Sequence, residues 1–361
     1  MAIYLTTFII SCILLFQSQH SKKKWNIWAI LGILIPCFIA SFRSTHVGTD
    51  TGMYKYIYDN CKDLSIKVFF SQNVLNVESF YYFSSIIGKN ITGFSSLLFI
   101  YEFLNVYFLY DVTYKLRNHI SIWLVFFLFY MMLFSYSLNI MRQITSVMYV
   151  LWLSGFLISK HNLKYIFGCL IGISFHSTII LGGLLIWLVY KVYVSEGKKQ
   201  KIYMISSIVG CIFFYFTLNQ IGNILSLFNG SEVAKYSGYL DDNTSYIGKT
   251  DLCVRLIFLL TVIISFTNKI INKSLFKALF VLLFFELCLI LCGVTSTVIF
   301  RLALYVTAFD IVVIPYILHS KRFKKSTSVL LNIVLICFSL TYWLYTVYLN
   351  GTNEIFPYTI Q

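Results

Sequence analysis

The chain has 361 residues, of which 58% are hydrophobic, 19% aromatic and only 12% charged, well below the ~25% charge of soluble domains. That balance excludes a water-soluble globular protein and points to a polytopic membrane protein, whose spans must be helices. The net charge of +14 does not imply nucleic acid, because the lysines sit in short loops between apolar runs, where membrane topology places them.

In chain order, the first apolar run covers 2–18. No basic residue precedes it and lysines follow, so it is expected as a membrane helix with an outward N-terminus rather than a cleaved signal. A second run, 26–42, ends at a stretch of different character, SFRSTHVGTDTGMYKYIYDN, from Ser41 to Asn60. Gly48, Thr49 and Thr51 make a tight polar turn around Asp50, just before a predicted helix. The same long segment, 43–93, contains NVESFYYFSSIIGKN, an amphipathic aromatic piece suited to the membrane interface. Further runs fall at 94–112, 120–136, 144–159, 165–190, 202–219, 252–268, 278–299, 302–318 and 328–349. Between two of them, 220–251 is a second long polar segment with the character of a lid. The expectation is a single integral-membrane domain, 1–361, an all-α bundle of 10–12 transmembrane helices with outer-face loops at 43–93 and 220–251.

Six short loops, SKKKW, YKLRNH, SKHNLK, KVYVSEGKKQK, NKIINKSLFK and HSKRFKKS, hold 18 of the 28 Lys and Arg residues. The positive-inside rule makes all six cytoplasmic. One run breaks the alternation: a single crossing by 165–190 would put Lys198, Lys199 and Lys201 outside. Parity returns if this run enters and comes back, with the bend at Ser174–Ser177; one tilted helix is the alternative. Of the nine cysteines, eight lie in apolar runs and Cys61 alone lies in a loop. Cys288 and Cys292 are one helical turn apart inside a span, a packing pattern, and no metal site is supported.

This topology collects Arg43, His46, Asp50, Tyr54, Tyr58, Arg142, Gln143, His176, Ser177, Arg255 and Arg301 near the outer boundary. Only two of the inside basic residues are arginine, whereas four of the ten outer ones are. A guanidinium is a planar fork of donors that matches phosphate or carboxylate. Arg142 and Arg301 lie where helices are expected to start, which adds free N–H groups for an anion such as a lipid pyrophosphate. Plainer roles stand beside these. Arg43 can snorkel to the interface, and Arg142 and Arg301 can pair with Glu102, Glu286 or Asp310. His176 can be a core histidine, the tyrosines an interfacial belt, and Asp50 a helix N-cap.

Arg43 to Tyr54 reads R-S-x-x-V-G-T-D-T-x-x-Y, which resembles the EpsG-like branch of bacterial polysaccharide polymerases, the Wzy-type O-antigen or capsule polymerases. MRQITSV resembles the family's arginine-glutamine motif, SFHSTII its histidine-serine motif at His176 and Ser177, and RLALY its late arginine motif at Arg301 and Tyr305. Their order and spacing fit over roughly residues 1–358, and the terminal FPY is also family-like.

The resemblance implies a multi-pass glycosyltransferase of the bacterial cytoplasmic (inner) membrane, with its active site facing outward. It implies the joining of oligosaccharide repeat units carried on undecaprenyl pyrophosphate, with the lipid pyrophosphate as leaving group and no bound cofactor; a chain-length regulator stays open as a further partner. In that frame Arg142 and Arg301, with Arg43 third, meet the pyrophosphate. Asp50 and His176 are the two candidates for the base, and neither is ranked above the other. Tyr54, Tyr58, Gln143, Ser177, Arg255 and Tyr305 would contact substrate. An O-antigen ligase or membrane acyltransferase is the nearest competing enzyme. A flippase for lipid-linked oligosaccharide would call for matching interrupted helices in two halves, and only one interrupted run is evident.

Overall fold

A computed structural model describes residues 1–72, 77–225, 249–292, 297–320 and 322–360. The helices, in chain order, are α1 (Ala2–Gln19), α2 (Ile27–Phe42), α3 (Thr51–Cys61), α4 (Ile66–Gln72), α5 (Ser79–Lys89), α6 (Phe94–Lys115), α7 (Ile122–Met132), α8 (Phe134–Asn139), α9 (Met141–Ile158), α10 (Asn162–Gly172), α11 (Ile179–Val194), α12 (Gly197–Leu225), α13 (Lys249–Thr267), α14 (Lys273–Cys292), α15 (Thr297–Leu318) and α16 (Lys325–Trp343). No β-strand forms among the described residues, and the all-α expectation holds. Among the described residues six stretches, within α1, α9, α13, α14 and α15 and from α16 through its π-helical continuation to Leu349, are long and apolar enough to cross a bilayer; α2, α7 and α11 are shorter apolar helices. Most of the expected lid, 226–248, lies outside the described residues.

The apolar run 165–190 is two helices, α10 and α11, separated by 173–178, which contains the expected bend. Cys61 is not in an open loop: it is buried at the end of α3. The chain forms two compact units, Met1–Ile180 with Lys324–Gln361, and Leu181–Phe323.

In the first unit α2 packs on α1 and α6, and α9 packs on α6 and α10. Gly32 lets α1 and α2 approach closely, because a Cβ there would meet Leu15 at 2.9 Å. Ser11 uses that approach to donate to Gly32 O at 2.6 Å. The lysine loops SKKKW and YKLRNH meet at one end of this bundle. There Gln19 Nε2 donates to Arg117 O at 3.1 Å and Tyr110 Oη donates to Lys24 O at 2.7 Å. The opposite end is formed by the C-termini of α2 and α10, the N-termini of α6 and α9, and the helices α3 to α5.

At that opposite end the described residues of 43–93 fold with a small core of their own. Tyr54, Tyr58, Phe69, Tyr81, Tyr82 and Phe94 are buried together. Tyr82 stacks on Phe69 with ring centroids 4.1 Å apart, and its hydroxyl donates to Leu64 O at 2.8 Å. The aromatic residues expected at an interface are therefore largely interior; Phe83 of the same helix remains exposed. The C-terminal tail braces the end: Ser44 N donates to Thr359 O at 2.8 Å and Gly48 N to Glu354 O at 3.0 Å.

In the second unit α14 packs on α12, α13 and α15. Arg255 of α13 is 2% exposed. It donates to Glu286 Oε1 of α14 at 2.9 Å and to Thr307 Oγ1 of α15 at 2.9 Å, joining three helices through one cation.

Candidate functional site

The end of the first unit is built around a turn. Asn139, the last residue of α8, accepts from the Asp50 N–H at 2.8 Å and from Thr49 Oγ1 at 2.6 Å through its Oδ1. Its Nδ2 donates to Asn353 Oδ1 at 3.0 Å, so one amide joins the turn to the tail. Gly48 sits at φ +93°, and a Cβ there would lie 3.0 Å from Leu138 O. The backbone conformation and the close approach both favour glycine. Asp50 occupies the N-cap position of α3, yet its side chain makes no capping hydrogen bond. The capping role open to it in the sequence is not the one its carboxylate fills.

Arg43 lies beneath this turn, 1% exposed. Its terminal nitrogens donate to Ala40 O at 2.6 Å and Leu138 O at 2.8 Å. It neither snorkels nor reaches the open side; two backbone carbonyls take its terminal nitrogens, and it braces α2 against α8.

Arg142 is different. It stands in the first turn of α9, and its guanidinium carbon lies 5.4 Å from the Tyr54 ring centroid and 5.7 Å from that of Tyr81. Contacts of this kind are worth about 0.5–2 kcal/mol each. Tyr81 is held in place by its hydroxyl, which donates to Tyr54 O at 2.5 Å. One terminal nitrogen of Arg142 pairs with Glu78 Oε2. Its Nε has no protein partner among the described residues.

Glu78 turns this arginine into a cluster. Its other oxygen, Oε1, lies 2.5 Å from Nδ1 of His176. The loop bearing His176 is fastened to α5: Phe80 N donates to Ser174 O at 3.1 Å, and Phe80 meets Phe175 edge-on at 4.6 Å. Burial alone would raise the Glu78 carboxyl, but the hydrogen bond from His176 and the charge of Arg142 outweigh it and hold the group below its ordinary value. Glu78 is thus an anion that accepts from both neighbours, which places a proton on Nδ1 of His176. The side chains of Arg142, Glu78 and His176 are 13%, 16% and 22% exposed, so the cluster opens on one side.

Of the other expected residues, Tyr58 is buried against Phe94, Gln143 is buried beside Arg142 in sequence, and Ser177 is exposed. Arg255, Arg301 and Tyr305 belong to the second unit. Tyr305 is fully buried and fills the space beside Gly182, where a Cβ would meet its ring at 2.3 Å. Arg142 pairs with none of the carboxylates weighed from the sequence, whereas Glu286 does carry an arginine, Arg255.

Sequence reasoning passed over Glu78, although one signal marks it. Asp59 has Lys55 and Lys62 within a helical turn. Glu78 has no basic residue within ten positions. A buried carboxylate without a local cation needs a distant one.

Among the described residues no three His, Cys, Asp or Glu side chains gather as a metal site requires. The cluster can instead offer guanidinium donors to an anion and an imidazole to a hydroxyl. A family model described as the EpsG family matches residues 25–360. No curated protein matches the chain, and no solved structure does.

Proposed function

The chain belongs to the EpsG family of Wzy-like polysaccharide polymerases, and from that premise we propose that it joins oligosaccharide repeat units carried on undecaprenyl pyrophosphate at the outer side of the cytoplasmic membrane. The observation that carries the reading is Arg142, a guanidinium held against the Tyr54 and Tyr81 rings at the end of the bundle opposite the lysine loops. By the positive-inside rule that end faces outward. Nucleotide sugars are absent there, so the leaving group has to be the lipid pyrophosphate.

In the proposed step the anomeric carbon–oxygen bond of the donor breaks and its electron pair stays on the pyrophosphate. A hydroxyl of the incoming lipid-linked unit bonds to that carbon and gives up its proton. Arg142 meets the charge growing on the phosphate oxygens, in a partly dry site where a fixed cation is most effective. The acceptor proton needs a base, for which Asp50 and His176 are the candidates. For Arg301 and Tyr305 the proposed substrate role rests on the RLALY motif. The product of such a reaction is an O-antigen or a capsular or other exopolysaccharide.

The test is reconstitution. Purified protein in lipid nanodiscs is incubated with an undecaprenyl-pyrophosphate repeat unit, and the products are separated by size. A ladder of multiples with release of undecaprenyl pyrophosphate is expected. Transfer of single units to a non-repeat acceptor would make the protein a ligase, and no transfer would remove the reading.

A further inference from the structure

The Glu78–His176 contact assigns a residue that no motif contains. We propose that Glu78 is a positioning residue: it accepts the Nδ1 proton of His176, leaves Nε2 bare, and so makes His176 rather than Asp50 the base for the acceptor hydroxyl. The inference rests on the polymerase reading above and names the group that moves the proton within it.

Three observations carry it. The first is geometry: Nδ1 lies 2.5 Å from Glu78 Oε1, while the other oxygen of the same carboxylate is occupied by Arg142. The carboxylate cannot swing away from the ring without breaking an ion pair, so ring orientation and guanidinium position are set together. The second is the state of the carboxylate. An anion between a cation and a ring nitrogen can only accept, which places a proton on Nδ1; when the ring carries one proton, its lone pair is then on Nε2. Free imidazole favours the opposite tautomer, so this arrangement needs the acceptor that Glu78 supplies. The third is support: the His176 loop is tied to α5 through the Phe80–Ser174 hydrogen bond and the Phe80–Phe175 contact, one and two residues from Glu78 and His176. The same short helix start thus holds both members of the dyad.

The chemistry balances. The acceptor O–H bond breaks and its proton goes to Nε2. The oxygen lone pair forms the new bond to the anomeric carbon. The anomeric C–O bond breaks, and its pair leaves on the lipid pyrophosphate, beside Arg142. The imidazolium so formed is stabilised by the Glu78 anion and later returns its proton to water. A nucleophile, base and orienting acid held in series is a general device; here the nucleophile is the substrate hydroxyl.

The test uses the full chain in nanodiscs with 15N-histidine, His176→Asn identifying the His176 signals by difference. In the unmodified protein His176 is expected as the Nδ1–H tautomer, and in Glu78→Gln the signal should move toward Nε2–H. Turnover of the lipid-pyrophosphate repeat unit by Glu78→Gln should fall on the order of 10²-fold. The KM for that donor should stay equal or drop, since Arg142 is released from its carboxylate. A purely structural Glu78 would instead lose turnover and donor binding together. Finding Nε2–H in the unmodified protein overturns the proposal whether or not the variant folds, and so does full turnover in Glu78→Gln. If the unmodified protein makes no polymer, the polymerase reading itself fails, an outcome separate from the tautomer.

Discussion

The side chain of Asn139 accepts from the Asp50 backbone N–H and donates to the Asn353 side chain, so one amide links the glycine turn of the first loop to the C-terminal tail. Replacing it with Ala removes the acceptor for two donors, Thr49 Oγ1 and the Asp50 N–H. Each donor left without a partner in a partly dry place costs about 1–3 kcal/mol. Asn139→Ala should therefore lower the thermal midpoint in detergent by several degrees and make the tail accessible to carboxypeptidase. An unchanged midpoint with a protected tail would mean that other contacts hold the turn.

Gly48 offers an independent measure of the same turn. At φ +93°, with Leu138 O 3.0 Å from the place of a Cβ, alanine adds backbone strain and a clash, together about 1–3 kcal/mol. Gly48→Ala should lower the yield of monodisperse protein and cut polymer formation in proportion. Wild-type stability and activity in that variant would show that the turn tolerates rearrangement.

The helices were legible in the sequence because bilayer thickness and periodicity leave little choice: α1 and α2 lie within one or two residues of the expected runs. The break after Gly172 was legible from charge parity, since Lys198 to Lys201 demanded it. The segment 43–93 was less so. Its aromatic residues fit an interfacial belt as well as they fit a core, and only packing shows that Tyr81 and Tyr82 face inward. Arg43 and Arg142 look alike as letters, each an arginine beside an apolar span. Backbone carbonyls, one of them 95 positions away, take the first, and an acid 64 positions away takes the second; such long-range pairing leaves no periodic trace.

Arg142 should not tolerate lysine. Its planar fork stacks near Tyr54 and Tyr81 while one nitrogen holds Glu78, and a point charge cannot do both. Arg142→Lys and Arg142→Ala should each lower polymerisation on the order of 10²–10³-fold, the usual cost of removing a donor to developing charge, with normal folding by size exclusion. Long-chain ladders from either variant would remove the phosphate role.

Glu78 predicts an acid-dependent stability. Its carboxyl is held below the ordinary value, because the His176 hydrogen bond and Arg142 charge outweigh the cost of burial. A depressed folded value means that the stabilisation is present above the ordinary carboxylate range and is lost as pH falls through the folded value. The gap in thermal midpoint between the unmodified protein and Glu78→Gln should therefore be open at neutral pH and close in strong acid. A gap that does not change with pH would show that the charge of Glu78 contributes nothing.

Arg255 should be structural. It is 2% exposed and meets Glu286, Asp251 and Thr307 within the second unit. Removing one partner of a buried pair strands the other, at about 3–5 kcal/mol. Arg255→Met should reduce the folded yield steeply, whereas Arg255→Met combined with Glu286→Gln should recover part of it. Full folding of the single variant with selective loss of polymer would instead place Arg255 at substrate.

The sidedness of the site can be read directly in cells. His46 is exposed near the glycine turn, and Lys199 lies in the lysine loop at the start of α12. Single cysteines at these positions, in a background lacking the exposed Cys253 and Cys337, report their side through a membrane-impermeant thiol reagent. If the turn and the Glu78–Arg142–His176 cluster face outward, His46→Cys is labelled in intact cells and Lys199→Cys only after lysis. Labelling of both in intact cells would place the KVYVSEGKKQK loop outside and defeat the inward return after 165–190. The reverse pattern would turn the whole site toward the cytoplasm, where a lipid-pyrophosphate donor awaiting export would not be met by the incoming polymer, and the proposed reaction would lose its compartment.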